Sequence, residues 1–468
     1  MTDESPAGEA DAGADRAETL MGFVERLERD DPSQVLRVTR ETPVEKAITA
    51  TVFELQDRRQ YPLVVFESVT GYDTPVVTNV FATRERIARA IGVPESEFFE
   101  TWNDRIGDLV PPETVGSGPV MDVNATDDDV DLTDLPAPLH FDGDGGRYVT
   151  AGIVVAKDPE TGTNNLSFAR IQLKEPRKAG ISIHSRGDLW EYVRKGEQMG
   201  ETIEVAVVVG AHPDVYVGAS ANLGIDVDEY DVVGAMRGEP LEVVSCETVD
   251  LSVPAQAEFV VEGSIDPAEQ ESEGPFGEYT GVMSGRSSNN VLRVNALSHR
   301  EDPSFLSIVP GQSREHLQLG RAPKEPTIYQ KIKDENPYVE SIHFPHAGTH
   351  YHCFVSIDKS APGQPQQTIL SALGAWRYIK LAVVVDDDVD VTDVEDVLWA
   401  VATRTQPDED VFTLPKATGN PLDPSSTDGA TSKMGVDATQ PVDSDVERLT
   451  IADEAREFAA DLLDEHGY

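Results

Sequence analysis

The stretch Glu273-Gly274-Pro275-Phe276-Gly277-Glu278 places two carboxylates five positions apart around a predicted bend, and the rest of the chain is interpreted from it. On a straight strand the two acids would point to opposite faces, and on a helix they would lie well apart. Gly274 and Gly277 permit unusual backbone angles, and Pro275 fixes its own φ and removes a backbone donor. The two carboxylates can therefore converge only if this loop bends. The plain alternative is a Gly-Pro turn with two solvated acids.

The composition limits the classes of partner. The chain has 468 residues, of which 39% are hydrophobic, enough for two or three domains. It carries 85 acidic and 38 basic residues, a formal net charge of −47. Such a charge repels nucleic acid and anionic membrane surfaces. Because the acids are dispersed, as at 127–129 and 386–388, the sequence predicts a halophilic protein whose self-repulsion is screened by high salt.

The cysteines and the apolar runs predict a soluble cytoplasmic protein. Cys246 and Cys353 are too few for a disulfide framework or a thiolate metal site. The N-terminal residues lack an apolar core, so no signal peptide is predicted there. The longest apolar runs, 205–209 and 381–385, are strand-sized and too short to span a bilayer.

The order of predicted elements divides the chain into five segments and indicates a multidomain α+β protein. These are a disordered acidic tail (1–17), an α/β domain (18–117), a strand-rich domain (118–310), an α/β domain (325–430), and a linker with a terminal helix (431–468). In the first domain, helices are predicted at 20–29, 83–91 and 95–105 and strands at 35–38, 50–55 and 61–69. The many short strands of 118–310 predict an antiparallel sheet or barrel. Residues 418–444, rich in Gly, Pro, Asp and Ser, are interpreted as a linker, and we expect the helix at 451–463 to dock on this chain or on a neighbouring subunit.

Arg170 indicates a chemical role for the two carboxylates of the bend. Alternation along the strand predicted at 163–173 puts Ser167 and Ala169 on one face and Leu166, Phe168 and Arg170 on the other. An arginine on a mostly apolar face needs a buried anionic partner. A buried arginine between Glu273 and Glu278 would hold one carboxylate ionised and could leave the other protonated near neutral pH. Such an arrangement delivers a proton on demand.

Three further patterns could bind metal ions. Asn165, His184 and Glu229 offer an amide oxygen, an imidazole nitrogen and a carboxylate oxygen, which suit Mn²⁺ or Mg²⁺, although spacing alone does not establish a site. A histidine cluster could serve a zinc or iron hydrolase, but no HExxH motif accompanies it, so structural or surface histidines are favoured; its members are His343, His346, His350 and His352. The acidic run at 386–390 lacks the ordered glycine and terminal glutamate of an EF-hand and is interpreted as a solvated turn.

Taken together, five motifs resemble the UbiD family, in family order, between about residue 35 and residue 430. They are Asn165-Leu166-Ser167-Phe168-Ala169-Arg170, His184-Ser185-Arg186-Gly187, Asp228-Glu229-Tyr230 ahead of residues 234–238, the stretch 273–278, and Leu422-Asp423-Pro424-Ser425. The resemblance implies a reversible decarboxylase of aromatic or α,β-unsaturated acids that uses prenylated FMN. It also implies an N-terminal α/β domain, a central flavin-reductase-like split β-barrel that holds the flavin, and a C-terminal α/β domain involved in oligomerisation.

The resemblance also assigns roles by position. Asn165, His184 and Glu229 would hold Mn²⁺ against the cofactor phosphate, with K⁺ often nearby. Arg170, Glu273 and Glu278 would form the catalytic network, with Glu278 as the proton donor to the carbon that loses CO₂. The residues expected to line the flavin are Phe168, Ala169, Arg170, Ile183, His184, Arg186 and Gly187, and Lys416 is a candidate for a C-terminal lysine that contacts the cofactor.

Several functions remain open at the level of sequence. The leading expectation is decarboxylation of trans-anhydromevalonate 5-phosphate in archaeal isoprenoid synthesis, and the alternative is decarboxylation of 4-hydroxy-3-polyprenylbenzoate or another aromatic acid. A non-catalytic flavin-binding protein and a metal hydrolase are the alternatives of other classes. The intact Arg170, Glu273 and Glu278 set argues against the first of these. The expected partners are a small unsaturated or aromatic acid, a flavin prenyltransferase that supplies the cofactor, and further copies of the chain in a dimer or hexamer.

Overall fold

The structure is a computed structural model that describes residues 18–183, 187–221, 223–427, 429–444 and 446–466. The acidic tail predicted for 1–17, and the site residues His184 and Arg186, lie outside the described residues. No helix in these ranges is both long and apolar enough to cross a membrane.

The N-terminal region is a four-stranded sheet covered by helices. The strands follow the order Val35–Val38, Leu63–Phe66, Val76–Thr78 and Phe305–Leu306, and the helices are Leu20–Asp30, Ala47–Asp57, Arg84–Ala90 and Phe98–Arg105. The strand predicted at 50–55 is wrong: this segment is helical, and its apolar residues Ile48 and Val52 lie one turn apart on the buried face. The helices predicted at 20–29 and 83–91 are confirmed to within one or two residues.

Both faces of the strand Leu63–Phe66 are buried, which explains its unbroken run of apolar residues. Leu63 and Val65 pack in one hydrophobic cluster, whereas Val64 and Phe66 pack in a second one beneath the central sheet. The strand Phe305–Leu306 comes from the far end of the central region and pairs in parallel with Val76–Thr78. Each of the two clusters also contains residues of the central sheet, so the first two regions pack against each other.

The central region is a nine-stranded antiparallel sheet, as the sequence predicts. The order of its main path is Tyr148–Val149, Arg170–Glu175, Lys178–Ser182, Ser287–His299, Phe259–Glu273, Ile203–Val209, Gly152–Lys157 and Asn164–Phe168, and Val123–Thr126 pairs with Ser287–His299. Within the described ranges the path stays open and does not close into a barrel. Helices Asp188–Met199, Pro213–Ala219 and Glu229–Arg237 pack beside it, and a small sheet joins Glu113–Thr114, Glu242–Ser245 and Ser252–Pro254.

The longest strand of this sheet leads into the stretch 273–278. Phe259–Glu273 pairs with Ser287–His299 along most of its length, with register shifts after Glu262 and Ile265. Gly263 is required there, since a Cβ at this position would lie 2.0 Å from the Arg293 carbonyl oxygen. The strand ends at Glu273, where the chain turns into the bend.

The C-terminal region is a five-stranded sheet with helices on both faces. Its strands follow the order Val339–His343, His352–Ile357, Leu381–Asp386, Ala430–Ala438 and Val411–Thr418, and its helices are Arg314–Arg321, Lys324–Glu335, Gln364–Ala375 and Val394–Arg404. The linker predicted at 418–444 is wrong over much of its length. Residues Ala430–Ala438 form a strand that pairs in parallel with Leu381–Asp386.

The terminal helix Asp453–Glu465 is exposed along its whole length. Phe458, Leu462 and Leu463 present apolar side chains to solvent, and Phe458 is 69% exposed. The helix therefore does not dock on the rest of the described chain, which was one of the two arrangements that the sequence predicted.

Candidate active site

The stretch 273–278 bends as predicted. Gly274 has a φ of +88°, and its bond to Pro275 is cis. Phe276 and Gly277 then form a two-residue strand paired with Met283 and Ser284. Gly277 is required by a close approach, because a Cβ there would lie 2.4 Å from the ring of Phe141. The chain thus reverses between Glu273 and Glu278 and brings both carboxylates to the same side.

Arg170 joins the two carboxylates. Its Nε and one terminal nitrogen donate to the two oxygens of Glu273, each at 2.9 Å, in a bidentate pair. Its other terminal nitrogen donates to Glu278. Glu273 is fully buried and Glu278 is 7% exposed. The buried anionic partner that Arg170 requires is confirmed, and it consists of both acids.

The electrostatics favour a permanently charged Arg170. Burial by itself lowers its pKa, but the hydrogen bonds and charges of Glu273 and Glu278 outweigh burial and raise the pKa above its ordinary value. The guanidinium also lies 4.9 Å from the ring centroid of Phe276, which adds a cation–π contact. Phe276 in turn packs on Tyr148 at 4.6 Å. The one aromatic residue of the bend therefore supports the arginine that holds its two ends.

Other side chains fix the bend from outside, and sequence reasoning missed them. Asn289 donates to Glu273 at 2.8 Å, and Asp144 accepts the backbone N–H of Gly277 at 3.1 Å. The Gly145 N–H donates to the Pro275 carbonyl at 2.8 Å, and a Cβ on Gly145 would lie 2.3 Å from the Gly274 carbonyl oxygen. The glycine run around Asp144 was the available signal for this close approach.

The residue after the bend links it to the C-terminal region. The hydroxyl group of Tyr279 lies 3.0 Å from that of Tyr351 and accepts a hydrogen bond from Asn420. Its ring lies 4.8 Å from the ring of His350 and 6.4 Å from that of His316. Asn420 lies two residues before the Leu422-Asp423-Pro424-Ser425 motif, so this motif lies close to the bend.

Two of the three predicted metal ligands lie together. Glu229 is 4% exposed and accepts hydrogen bonds from Leu166 N at 3.0 Å and from the Asn165 amide, which is 3.2 Å from both carboxylate oxygens. Burial, reinforced by the charges of Asp188 and Asp228, raises the pKa of Glu229 to about 8. A bound cation would stabilise the ionised form of this buried carboxyl group, so Glu229 is a suitable metal ligand. The third ligand, His184, lies outside the described residues.

The other described residues expected to contact the cofactor lie on several different elements. Phe168 and Ala169 follow Asn165 along the same edge of the sheet, and the Phe168 ring packs 6.0 Å from that of Tyr216. Ile183 follows the strand Lys178–Ser182 and is half-buried, and Gly187 is the N-cap of the helix Asp188–Met199. Lys416 is exposed on the strand Val411–Thr418.

The histidine cluster of residues 343–352 has a different character from a metal centre. Among the residues that the structure describes, no three His, Cys, Asp or Glu side chains are grouped to hold a metal ion. His350 instead packs between the rings of Tyr279 and Trp376. In the acidic run, Arg404 pairs with Asp386 and Asp388 at 2.8 and 2.6 Å.

Comparison with known proteins covers nearly the whole chain. Residues 24–106, 113–313 and 317–438 match the N-terminal, Rift-related and C-terminal domains of 3-octaprenyl-4-hydroxybenzoate carboxy-lyase, the UbiD family. The anhydromevalonate phosphate decarboxylase of Methanothermobacter thermautotrophicus is 34% identical over 82% of this chain and 90% of its own length. That of Methanosarcina mazei is 33% identical over 81% and 87%.

A solved structure agrees with these matches. The UbiD-class enzyme HmfF from Pelotomaculum thermopropionicum, in complex with FMN, superposes with a TM-score of 0.90 and 37% identity, over 95% of this chain and 99% of that one. The multidomain α+β fold is therefore the UbiD fold. From the domain matches and the curated relatives we conclude that this chain belongs to the UbiD family and is a decarboxylase, a carboxy-lyase.

Proposed function

We propose that Arg170, Glu273 and Glu278 are the catalytic residues of this decarboxylase and that Glu278 protonates the carbon that loses CO₂. The observation that carries this proposal is the single buried guanidinium bound to both carboxylates of one bend. Glu273 binds the Nε and one terminal nitrogen of Arg170 and fixes the plane of the guanidinium, so the other terminal nitrogen is directed at Glu278. When Glu278 gives up its proton, Arg170 is already in place to stabilise the carboxylate that forms.

The residues present fit a divalent cation, and a solved relative holds FMN. Glu229 is a buried carboxyl group without a cationic partner in the described ranges, and Asn165 is its neighbour. Carboxylate and amide oxygens suit Mn²⁺ or Mg²⁺. We propose that Asn165, Glu229 and His184 hold Mn²⁺ against the flavin phosphate, with K⁺ nearby, and that the flavin is lined by Phe168, Ala169, Arg170, Ile183, His184, Arg186 and Gly187.

The proposed cofactor would supply an electron sink, which the side chains of the site do not offer. When bound, prenylated FMN offers an electron sink for the electron pair that CO₂ leaves on an sp² carbon. The protein orients the acid, keeps its reacting carbon beside Glu278 and transfers the proton. A flavin prenyltransferase would be the partner that supplies the cofactor.

We propose trans-anhydromevalonate 5-phosphate as the substrate, which places the protein in isoprenoid synthesis. Two curated relatives named anhydromevalonate phosphate decarboxylase, at 34% and 33% identity, support this choice. The alternative is a 4-hydroxy-3-polyprenylbenzoate or another aromatic acid. It is supported by the family description, which names 3-octaprenyl-4-hydroxybenzoate.

Further proposals concern the whole molecule. We propose that the central sheet forms the split barrel of a flavin-binding domain, with domain limits near 117 and 310, and that the protein is halophilic, in keeping with its net charge of −47. The exposed apolar side chains of the helix Asp453–Glu465 support a homo-oligomer in which this helix docks on a neighbouring subunit. A cytoplasmic location stays a prediction.

The test is expression of the full chain with and without a flavin prenyltransferase, followed by CO₂ measurement in molar salt. The proposal expects release only from the co-expressed protein, and most rapidly from trans-anhydromevalonate 5-phosphate among a panel of unsaturated and aromatic acids. Faster turnover of a 4-hydroxybenzoate derivative would select the aromatic alternative. Equal CO₂ release without the prenyltransferase would contradict the cofactor assignment.

A further inference from the structure

A group of basic side chains lies between the helix Arg314–Arg321 and the segment 343–350. Arg84 pairs with the buried Glu325, and Arg321 lies 3.7 Å from the same carboxylate. Burial is the main reason why the pKa of Arg321 is lowered to about 10. Glu325 opposes this shift, and the charges of Arg84 and Arg314 add to it. We call this group the basic cluster; its members are Arg84, Arg314, Arg321, His343 and His346. Arg84 and Arg321 thus share one carboxylate, Glu325, and the charge of Arg314 also acts on Arg321.

Arg314 is the member of the basic cluster that remains without a carboxylate. Its guanidinium lies 4.4 Å from the ring centroid of Tyr61, and its Nε donates to the Ala82 carbonyl at 3.4 Å. In the described part of the chain Arg314 makes no ion pair, and it is partly exposed. A half-exposed arginine with free terminal donors stacked on an aromatic ring is pre-organised for an anion that is not part of the chain.

Several polar atoms of the same region also lack partners. Among the described residues, the buried atoms without a hydrogen bond include Arg321 Nε, His343 Nδ1, His346 Nδ1, Thr349 Oγ1 and His350 Nδ1. Burial, and then the charges of Arg314 and Arg321, lower the pKa of His346 to about 4, so that its ring is neutral at pH 7. Buried polar groups in native proteins are nearly always satisfied. This concentration of unpaired polar atoms therefore indicates a polar ligand.

The backbone between these histidines is strained. Thr349 has a φ of +52° and a ψ of −119°, a conformation that a β-branched residue rarely adopts. Gly348 is required beside it, because a Cβ there would lie 2.5 Å from the Cβ of His352. Residues in such conformations concentrate at ligand sites.

A series of contacts links the basic cluster to Tyr279, the residue that follows the proposed proton donor Glu278. Tyr279, which follows Glu278, packs against His350 and His316. Burial lowers the pKa of His316, while the charge of Glu278 raises it, so that His316 lies within the electrostatic range of Glu278. Arg321 donates to the Thr349 carbonyl at 3.4 Å, directly before His350 in the chain. These contacts place the basic cluster and the bend on connected parts of the fold.

We propose that the basic cluster binds a phosphate group carried by the acid substrate at the end away from its carboxylate, with Arg314 as the principal charge partner and Arg321 and His346 as further donors. This inference rests on the proposed function and narrows it to phosphorylated unsaturated acids. A polyprenyl chain would require an apolar surface at this place, and the basic cluster offers charges and unpaired donors instead.

The test compares Arg314→Gln with Arg58→Gln, a control at an exposed arginine that pairs with Glu54. In holoenzyme, Arg314→Gln should raise the KM for trans-anhydromevalonate 5-phosphate about 10- to 100-fold, the usual worth of one or two charged hydrogen bonds. The kcat and the flavin content should change little. Arg314→Lys should restore part of the affinity, which a variant that merely folds poorly would not show. Competitive inhibition of the wild type by inorganic phosphate should be lost in Arg314→Gln and kept in the control.

Three other outcomes separate the claims. Unchanged KM and unchanged phosphate inhibition in Arg314→Gln would overturn the inference while leaving the proposed decarboxylation intact. Loss of flavin in step with the rise in KM would also overturn it, since the basic cluster would then bind the phosphate of the cofactor. Calorimetric binding of inorganic phosphate that requires Arg314, in a wild type that releases CO₂ only from phosphate-free acids, would support the phosphate site and overturn the proposed substrate.

Discussion

Replacement of Glu278 by glutamine tests the assignment of the proton donor. The amide keeps the shape of the side chain and can still accept a hydrogen bond from Arg170, which retains both bonds of 2.9 Å to Glu273. The charged donor of Arg170 then faces a neutral amide oxygen, so the change in the free energy of unfolding should be about 1 kcal/mol. The transferable proton is lost entirely. Turnover should fall by about 10²–10⁴, or about 3–5 kcal/mol of activation free energy.

The assay needs holoenzyme and a matched control. CO₂ release is measured at saturating substrate on protein co-expressed with a flavin prenyltransferase, and the flavin and metal contents of each sample are determined. Glu271→Gln is the control, because Glu271 lies on the same strand two residues before Glu273 and pairs instead with Lys174 and Lys178 at 3.0 and 3.1 Å. We expect this control to turn over within about threefold of the wild type, since surface ion pairs of this kind contribute about 0–1 kcal/mol.

The reasoning would be refuted by one clear result. If Glu278→Gln turns over like the wild type, with flavin and metal at wild-type content, the proton comes from elsewhere. The bend would then serve only to position Arg170.

Three other predictions use different properties of the chain. Glu229→Ala should lose divalent metal and flavin absorbance together, while the exposed Glu239→Ala keeps both; wild-type contents in Glu229→Ala would contradict the metal assignment. The melting temperature should fall on transfer from molar salt to dilute buffer because screening of the −47 charge is lost, and a midpoint independent of salt would remove the halophilic interpretation. Burial alone would raise the pKa of Asp214, but His212 and Arg237 lower it to about 2. A folded-state pKa below the ordinary value of 3.8 contributes about 2 kcal/mol above pH 4 that is lost as the pH falls toward 2; Asp214→Asn should therefore unfold at lower denaturant concentration at pH 7 and show a flatter acid dependence, and an unchanged acid profile would contradict this.

The central residues of the candidate site could be predicted because each of them is unfavourable in its own local sequence. An arginine on an apolar strand and two acids across a Gly-Pro bend are each unfavourable alone, and they become favourable when Arg170 pairs with Glu273 and Glu278. That mutual requirement is visible in sequence even though about a hundred residues separate Arg170 from the bend.

The supporting contacts could not be predicted, since nothing in their local sequence requires a distant partner. Asp144, Asn289 and Asn420 are ordinary polar residues of turns and strand ends, and only the folded chain brings them to the bend. The basic cluster was missed for the same reason. Its arginines are scattered between residues 84 and 321, and only its histidines lie close together in the sequence.

The two errors of secondary structure also have physical causes. The helix Ala47–Asp57 contains Ile48, Val52 and Thr51, whose β-branched side chains favour strands, and burial of one helical face outweighs that preference. The strand Ala430–Ala438 contains Gly435 and Asp437, which are disfavoured in strands, but it is held between two neighbours. In both segments tertiary packing decides the structure.

The central claim is that this protein removes CO₂ from an unsaturated acid and returns a proton to the same carbon. Its most direct test is to incubate holoenzyme and trans-anhydromevalonate 5-phosphate in D₂O and examine the product by NMR and mass spectrometry. The account predicts one CO₂ released per product and one deuterium at the carbon that carried the carboxylate. Product without deuterium at that carbon, or no CO₂ from any unsaturated or aromatic acid, would contradict it.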